Sequence, residues 1–272
     1  MRRLLRVVLA SLTLASAGCE PAENYLDPEG PRFAANYAGE SPADAPPQLK
    51  VVTFNIKFGD RYELAADELA SQPALAAADV VLLQEMDAPR TDAVARVLGM
   101  NYVYYPASVH ENGRDFGNAV LSRWPIVGDE KLILPHRDPR NGRIRIAVQA
   151  TIWTPEEDVS VYSVHNETPW LGPRGRLEQA GAVRDHAASC GLSAILGGDF
   201  NTSDPGAVDE TVELFRSAGF RWASEGAGKT AGNFTLDHIF TRHFAPLDTG
   251  TVSTKASDHR PSWARVSFEH SP

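Results

Sequence analysis

Apolar residues along the chain switch between two periods. The short, mostly apolar runs LKVVTFNI from Leu49 and DVVLLQ over 79–84 are rich in β-branched and long aliphatic side chains, and they predict buried strands. Between and after them the period lengthens. Residues 62–72 place Leu64, Ala65 and Leu69 on one helical face, and 88–98 forms a second helix stopped by Gly99. Strands are predicted over 118–122, 146–153 and 159–164. The clearest helix covers 174–189 and ends before Gly191. A strand over 194–196 runs into Gly197-Gly198-Asp199, and a helix over 208–218 stops at Gly219. Strands over 234–240, 249–254 and 263–268 close the chain. This alternation is that of an α/β protein.

The 272 residues are 43% hydrophobic and 22% charged, ordinary for a globular domain, and one domain over 49–270 is expected. The first residues change the picture. Arg2, Arg3 and Arg6 precede the uncharged run 7–17, which is shorter than the ~20 residues a membrane-spanning helix needs and reads as a secretion signal. Ala15-Ser16-Ala17 fits a small-x-small cleavage site. Ser16-Ala17-Gly18-Cys19 resembles a bacterial lipobox with Cys19 as the lipidated residue, although the usual Leu three residues before Cys19 is missing. The favoured expectation is a lipoprotein-type signal over 1–19. The protein is then exported and anchored at the cell envelope through Cys19, or otherwise periplasmic or secreted. Residues 20–48, rich in Pro, Ala, Glu and Asp, are expected as a disordered linker. The second cysteine, Cys190, is read as a small buried residue near a helix end.

The formal net charge is −9, and it becomes more negative without the leading arginines. That is a weak electrostatic footprint for nucleic acid, although a basic patch or bound metal can outweigh the global sign.

Candidate chemistry sits where strands end. Asn55 and Glu85 each close an apolar strand, and a polar residue there can offer oxygen to a cation at a sheet rim. His165 ends the strand VYSV. GGDFN stands at 197–201, LDHIF at 236–240 and SDHRP at 257–261. Gly197 and Gly198 allow a sharp turn and a close approach to phosphate. A histidine with a carboxylate partner is held in one tautomer and favours its protonated form.

In this order the segments resemble the endonuclease/exonuclease/phosphatase superfamily, whose members include pancreatic-type deoxyribonucleases, over roughly residues 49–268. The resemblance implies a four-layer α-β-β-α sandwich, two packed mixed β-sheets flanked by helices, with the motifs along one edge. It implies Mg²⁺ held chiefly by Glu85 with Asn55 and Asp258 beside it. Mn²⁺ can substitute, and the choice between one ion and two stays open. Asp199 is then the group that orients or deprotonates water, and Asn201 the donor to the developing phosphorane oxygen. Asp237 pairs with His259, which moves a proton or binds the scissile phosphate. His165 is carried as a phosphate contact, with Glu111 and Asp115 as candidate partners. His238 is left as structural.

Substrate contacts are expected from Asn118, from Arg143 and Arg145 in the loop 136–145, with an exposed strand connection as the alternative, and from Trp170, with packing on the domain surface as the alternative. The implied activity is metal-dependent hydrolysis of a phosphoester, foremost a phosphodiesterase or nuclease acting on nucleic acid or on lipid or sugar phosphodiesters. The alternatives are a phosphomonoesterase on inositol phosphates or phosphoinositides, a sphingomyelinase-like enzyme and, remotely, an inactive binding module. A monomer with no obligate protein partner is expected.

Overall fold

The computed structural model describes residues 22–39 and 48–269. Cys19 and the signal segment lie outside the described residues. In chain order the elements are β1 (Phe33–Ala35), β2 (Leu49–Asn55), α1 (Tyr62–Ser71), β3 (Val80–Met86), α2 (Ala88–Leu98), β4 (Asn101–Val109), β5 (Asp115–Ser122), β6 (Ile126–Ile133), β7 (Ile146–Trp153), β8 (Asp158–His165), α3 (Pro173–Ser189), β9 (Ser193–Asp199), α4 (Pro205–Arg216), β10 (Arg221–Trp222), β11 (Asp237–Arg242), β12 (Phe244–Thr251) and β13 (Ser262–Phe268). They form a seven-stranded sheet ordered β1-β4-β5-β3-β2-β13-β12 and a six-stranded sheet ordered β10-β11-β9-β8-β7-β6. Both are mixed, because β2–β3 and β8–β9 pair in parallel and their other neighbours antiparallel.

The period-2 alternation of each strand sorts its side chains into three apolar layers. Val51, Val80, Leu82 and Val120 of one sheet meet Val148, Val161, Ile195 and Ile239 of the other in the central layer. Val52, Phe54, Val81 and Leu83 point the opposite way, against Ala65 and Leu69 of α1 and Val94 of α2. Tyr162, Val164, Leu196 and Phe240 face Val183 of α3 and Phe215 of α4. Central strands buried on both faces therefore read as continuous apolar runs. The expected four-layer sandwich is the observed one.

The helix ends follow local chemistry. Asp87 caps α2 by accepting the Arg90 N–H, Pro89 starts its first turn, and Gly99 ends it in the left-handed region. Asp204 caps α4 through the Ala207 N–H.

Two expectations need correction. Residues 22–39, read as part of a disordered linker, are laid against the domain as a strap. Phe33–Ala35 pairs with β4, Tyr25 N–H donates to Ala107 O at 2.9 Å, and Arg32 makes a bidentate pair with Asp129. Lys131, almost wholly buried, donates to the carbonyls of Tyr25 and Gly30. The segment's polar composition hid this, because its hold is largely hydrogen bonds and ion pairs. Cys190 is exposed just beyond α3 rather than buried.

Candidate active site

Three strands of the six-stranded sheet end on one rung. His165, the last residue of β8, is the register partner of Asp199, the last of β9, and Asp199 is the partner of Asp237, the first of β11. In the facing sheet β2 ends at Asn55, and β3 carries Glu85 beside it. The Asn55 amide bridges the two sheets, with Nδ2 3.1 Å from both Glu85 Oε1 and Asp199 Oδ2.

Tight packing under the rung fixes it. A Cβ on Gly198 would stand 1.9 Å from Val164 O, and one on Gly197 would stand 2.7 Å from Leu82 Cδ1. Both glycines thus permit close strand and sheet approach inside β9. The sequence reading, a sharp turn toward phosphate, is replaced by this packing role.

Glu85 sits where the β3–β5 register breaks between Leu83 and Met86, with φ at 61°. The bulge turns its carboxylate toward Asn55 and the Phe58 N–H, which donates to Oε2 at 3.1 Å. Lys57, Phe58 and Asn201 also have positive φ. Four strained non-glycine residues gathered at one end of the sandwich are a mark of a functional site.

His259 closes the rung. Its Nδ1 lies 2.8 Å from Asp237 Oδ2 and its Nε2 lies 3.8 Å from Asp199 Oδ2. Burial disfavours its charge, but Asp237 and Asp199 outweigh that and raise its pKa to about 10. His165 takes the other flank of Asp199, with Nε2 at 3.6 Å from Oδ2. Burial, with Arg145 and His259 nearby, pushes His165 well below its ordinary value, so it is neutral. Burial raises Asp199 to about 7, with His259 opposing and Asp237 adding to the rise. The Asn201 N–H donates to Asp199 Oδ1, while its side-chain amide donates to Asn166 O.

The carboxylates Glu85, Asp199 and Asp237 face a single histidinium, His259. Buried carboxylates need pairing or a cation, and Asp237 Oδ1 is buried without a partner. This oxygen-rich donor set fits a hard divalent cation. Asp199, Asp237 and His259 lie close enough together to hold a metal themselves. There, however, Nδ1 of the protonated imidazole is already bound to Asp237. Glu85, with Asn55 and Asp199 at hand, is the better-suited place. Asp258 is more than half exposed and pairs with Lys57 Nζ at 2.9 Å.

Arg145 is brought to the site. Its Nη1 lies 3.3 Å from both ring nitrogens of His165, and its Nε and Nη2 make a bidentate pair with the fully buried Glu167. Arg143 pairs with Glu111 at 3.5 Å. Asp115 accepts from Tyr25 OH. Neither acid partners His165, whose acidic neighbours are Asp199 and, at 3.9 Å, Glu85. Asn118 is buried and spends its amide N–H groups on the carbonyls of Ile146 and Ser163, so it ties the sheets together. Trp170 is exposed with Arg140 over its ring. His238 is buried and bonds Thr202 Oγ1 at 2.7 Å, a structural contact. The sequence reading missed Glu167, Lys57 and Phe58. The only signal for Glu167 was an acidic residue two places beyond a strand-ending histidine.

The family model for the endonuclease/exonuclease/phosphatase family matches residues 52–259. The chain belongs to that family, whose members hydrolyse phosphoesters and generally use divalent metal ions. No curated protein matches it in sequence. Among solved structures it is similar to an endonuclease/exonuclease/phosphatase from Beutenbergia cavernae, at 24% identity, 82% of this chain, 72% of that chain and a TM-score of 0.68. It is also similar to D. rerio TDP2 complexed with single strand DNA product, at 18% identity, 81% and 99% coverage and a TM-score of 0.65. A mannosyl-6-phosphatase from Bacteroides thetaiotaomicron shares the fold at 20% identity, 81% and 100% coverage and a TM-score of 0.60.

Proposed function

We propose that this protein is an exported, metal-dependent phosphodiesterase in which water attacks phosphorus in line, without a covalent intermediate. The observation that carries this reading is the rung His165–Asp199–Asp237 closed by His259. It sets one carboxylate of near-neutral pKa between a neutral and a protonated imidazole.

A divalent cation, Mg²⁺ foremost, held by Glu85 with Asn55 and Asp258 near, would neutralise phosphate charge and steady the leaving oxygen. Asp199, raised to about 7 by burial, is poised to take a proton from water near neutral pH. His259 carries its charge toward the same space through Nε2, where it donates to a phosphoryl oxygen. Asp237 holds Nδ1 and so fixes which nitrogen points inward. His165, neutral, has a proton to share with the phosphate. Asn201 offers a further amide. Arg145 supplies positive charge on the His165 side.

Residues 1–19, with Cys19 as the lipid-bearing residue, support a place at the cell envelope. The negative net charge supports a small lipid, sugar or nucleotide phosphodiester over long nucleic acid. A second reading, phosphomonoester hydrolysis, draws support from Arg145, since a dianion asks for one more cation.

The test is turnover by the chain from residue 20 onward, with Mg²⁺ or Mn²⁺, on plasmid DNA, RNA, sphingomyelin, an inositol polyphosphate, a sugar phosphate and bis-p-nitrophenyl phosphate. Chelator-sensitive cleavage that Asp199→Asn abolishes is expected. A folded, metal-binding wild type that cleaves none of them would sink the hydrolase reading in favour of a binding module.

A further inference from the structure

Glu167 is a buried carboxylate with an unusual set of partners. It follows β8 by two residues and is fully buried. Its Oε1 and Oε2 accept Arg145 Nη2 and Nε at 3.1 Å each, a fork-to-fork pair. Its backbone N–H donates to Gln179 Oε1, and the Gln179 amide in turn donates to Pro135 O. The Thr168 N–H also donates to Oε1 at 2.7 Å, so the carboxylate is held before any ligand arrives, while Gln179 of α3 ties the Glu167 backbone to the loop ahead of β7.

Arg145 carries five N–H donors. Two are spent on Glu167. The Nη1 group has no carboxylate partner and stands over the His165 ring, 3.3 Å from each nitrogen. The Phe116 ring lies under the guanidinium, 5.1 Å from its carbon. The guanidinium is thus held on one edge by charge and on its face by an aromatic ring, and its open edge is turned toward the rung. A buried ion pair adds little net stability over apolar packing of the same shape, so stability alone is a weak reason for one here.

We propose that Glu167 is a positioning residue that fixes Arg145 beside His165, so that Nη1 receives a non-bridging oxygen of the substrate phosphate. This rests on the phosphoester reading of the site. Glu167 itself touches no substrate; it acts through Arg145.

The test is a double-mutant cycle on the chain from residue 20 onward, with inorganic phosphate binding read by calorimetry and bis-p-nitrophenyl phosphate turnover read alongside. The proteins are wild type, Glu167→Gln, Arg145→Met and the double variant, each checked for fold by circular dichroism. Arg145→Met is expected to weaken phosphate binding about 100-fold, the scale of losing a charge-stabilising donor. Glu167→Gln should cost about tenfold, as loss of an orienting partner does. The double variant should bind no worse than Arg145→Met alone.

An equal loss from Glu167→Gln with and without Arg145 would overturn the proposal, as would phosphate affinity unchanged in Arg145→Met. The double variant leaves no lone buried charge, so it keeps the cycle readable if Glu167→Gln unfolds; in that case Arg145→Lys replaces it. Lysine keeps the charge but cannot fill the fork, and it should lose most of the affinity; full affinity in it would overturn the proposal. Absence of turnover in a wild type that still binds phosphate through Arg145 would count against the hydrolase reading and not against the role of Glu167.

Discussion

Asp237 and His259 are joined through Nδ1 at 2.8 Å, which leaves Nε2 turned toward Asp199 Oδ2 at 3.8 Å. The pair spans 22 residues of sequence, yet it sets both the tautomer and the charge of the imidazole. Asp237→Asn removes the strongest attraction on that charge. The His259 pKa should fall from about 10 toward the ordinary histidine range. Proton NMR titration of the metal-free protein would read this directly. Turnover should drop by about 10²–10⁴, the usual worth of positioned proton transfer. An unchanged His259 titration in the variant would remove Asp237 from the role.

Gly198→Ala tests the packing under the rung. Its Cβ would stand 1.9 Å from a backbone oxygen of the neighbouring strand, and no side chain is there to move aside. The β8–β9 pairing must part, at a cost of ~3 kcal/mol or more. Urea unfolding should show a lower midpoint with a similar slope, and the shift of His165 from Asp199 should abolish turnover in the protein that remains folded.

Much of the site was legible because each motif ends a strand. Asn55, His165 and Asp199 are the last residues of β2, β8 and β9, and an apolar run that stops at a polar residue marks a sheet rim in sequence. Two strands, β4 and the edge strand β6, were not legible. β6 carries Gly128, Asp129, Glu130 and Lys131, and β4 contains Pro106 at a register shift, so neither gives a clean period. The partners of Arg145 were beyond reach for another reason. Glu167 finds its arginine 22 residues upstream, across two antiparallel strands, and periodicity carries no trace of such a pairing. Asn118 shows the same limit, since the two carbonyls of the facing sheet that its amide N–H groups reach leave no trace in the sequence, and its Oδ1 is buried without a partner.

The strap makes a prediction about domain limits. Lys131 is buried, and its ammonium donates to two strap carbonyls, Tyr25 O and Gly30 O. Cutting the chain at residue 48 strips both acceptors from a buried charge, which should cost about 3–5 kcal/mol. It also frees the arginine loop, because Asn24 accepts the Ile144 N–H and donates to Gly142 O beside Arg143 and Arg145. Chemical denaturation should find the domain beginning at residue 48 markedly less stable than the chain from residue 20. Lys131→Met should restore much of the loss in the shorter chain and do little for the longer one. Equal stability of the two chains would contradict the strap's role.

Stability should also depend on pH and metal in a linked way. His259 keeps its proton up to about pH 10 in the folded chain, against an ordinary value of 6.5. Its contribution is therefore complete below about pH 6.5 and is lost as pH rises through about 10. Asp199 has a value raised from 3.8 to about 7, so the fold favours its protonated form and stability falls between about pH 4 and 7 as that proton leaves. The two act in one direction, and the chelated protein should melt at a lower temperature at pH 9 than at pH 5. A divalent cation held near Glu85, as proposed, would favour the ionised form of Asp199 and would stabilise the folded chain that binds it. At a hundredfold over its Kd it should add about 2.7 kcal/mol. It should therefore raise the melting temperature most above pH 7 and flatten the slope below it. Thermal melts at pH 5, 7 and 9, with chelator and with Mg²⁺, would read both effects. A chelated protein whose melting temperature climbed with pH would contradict the assigned charges of His259 and Asp199.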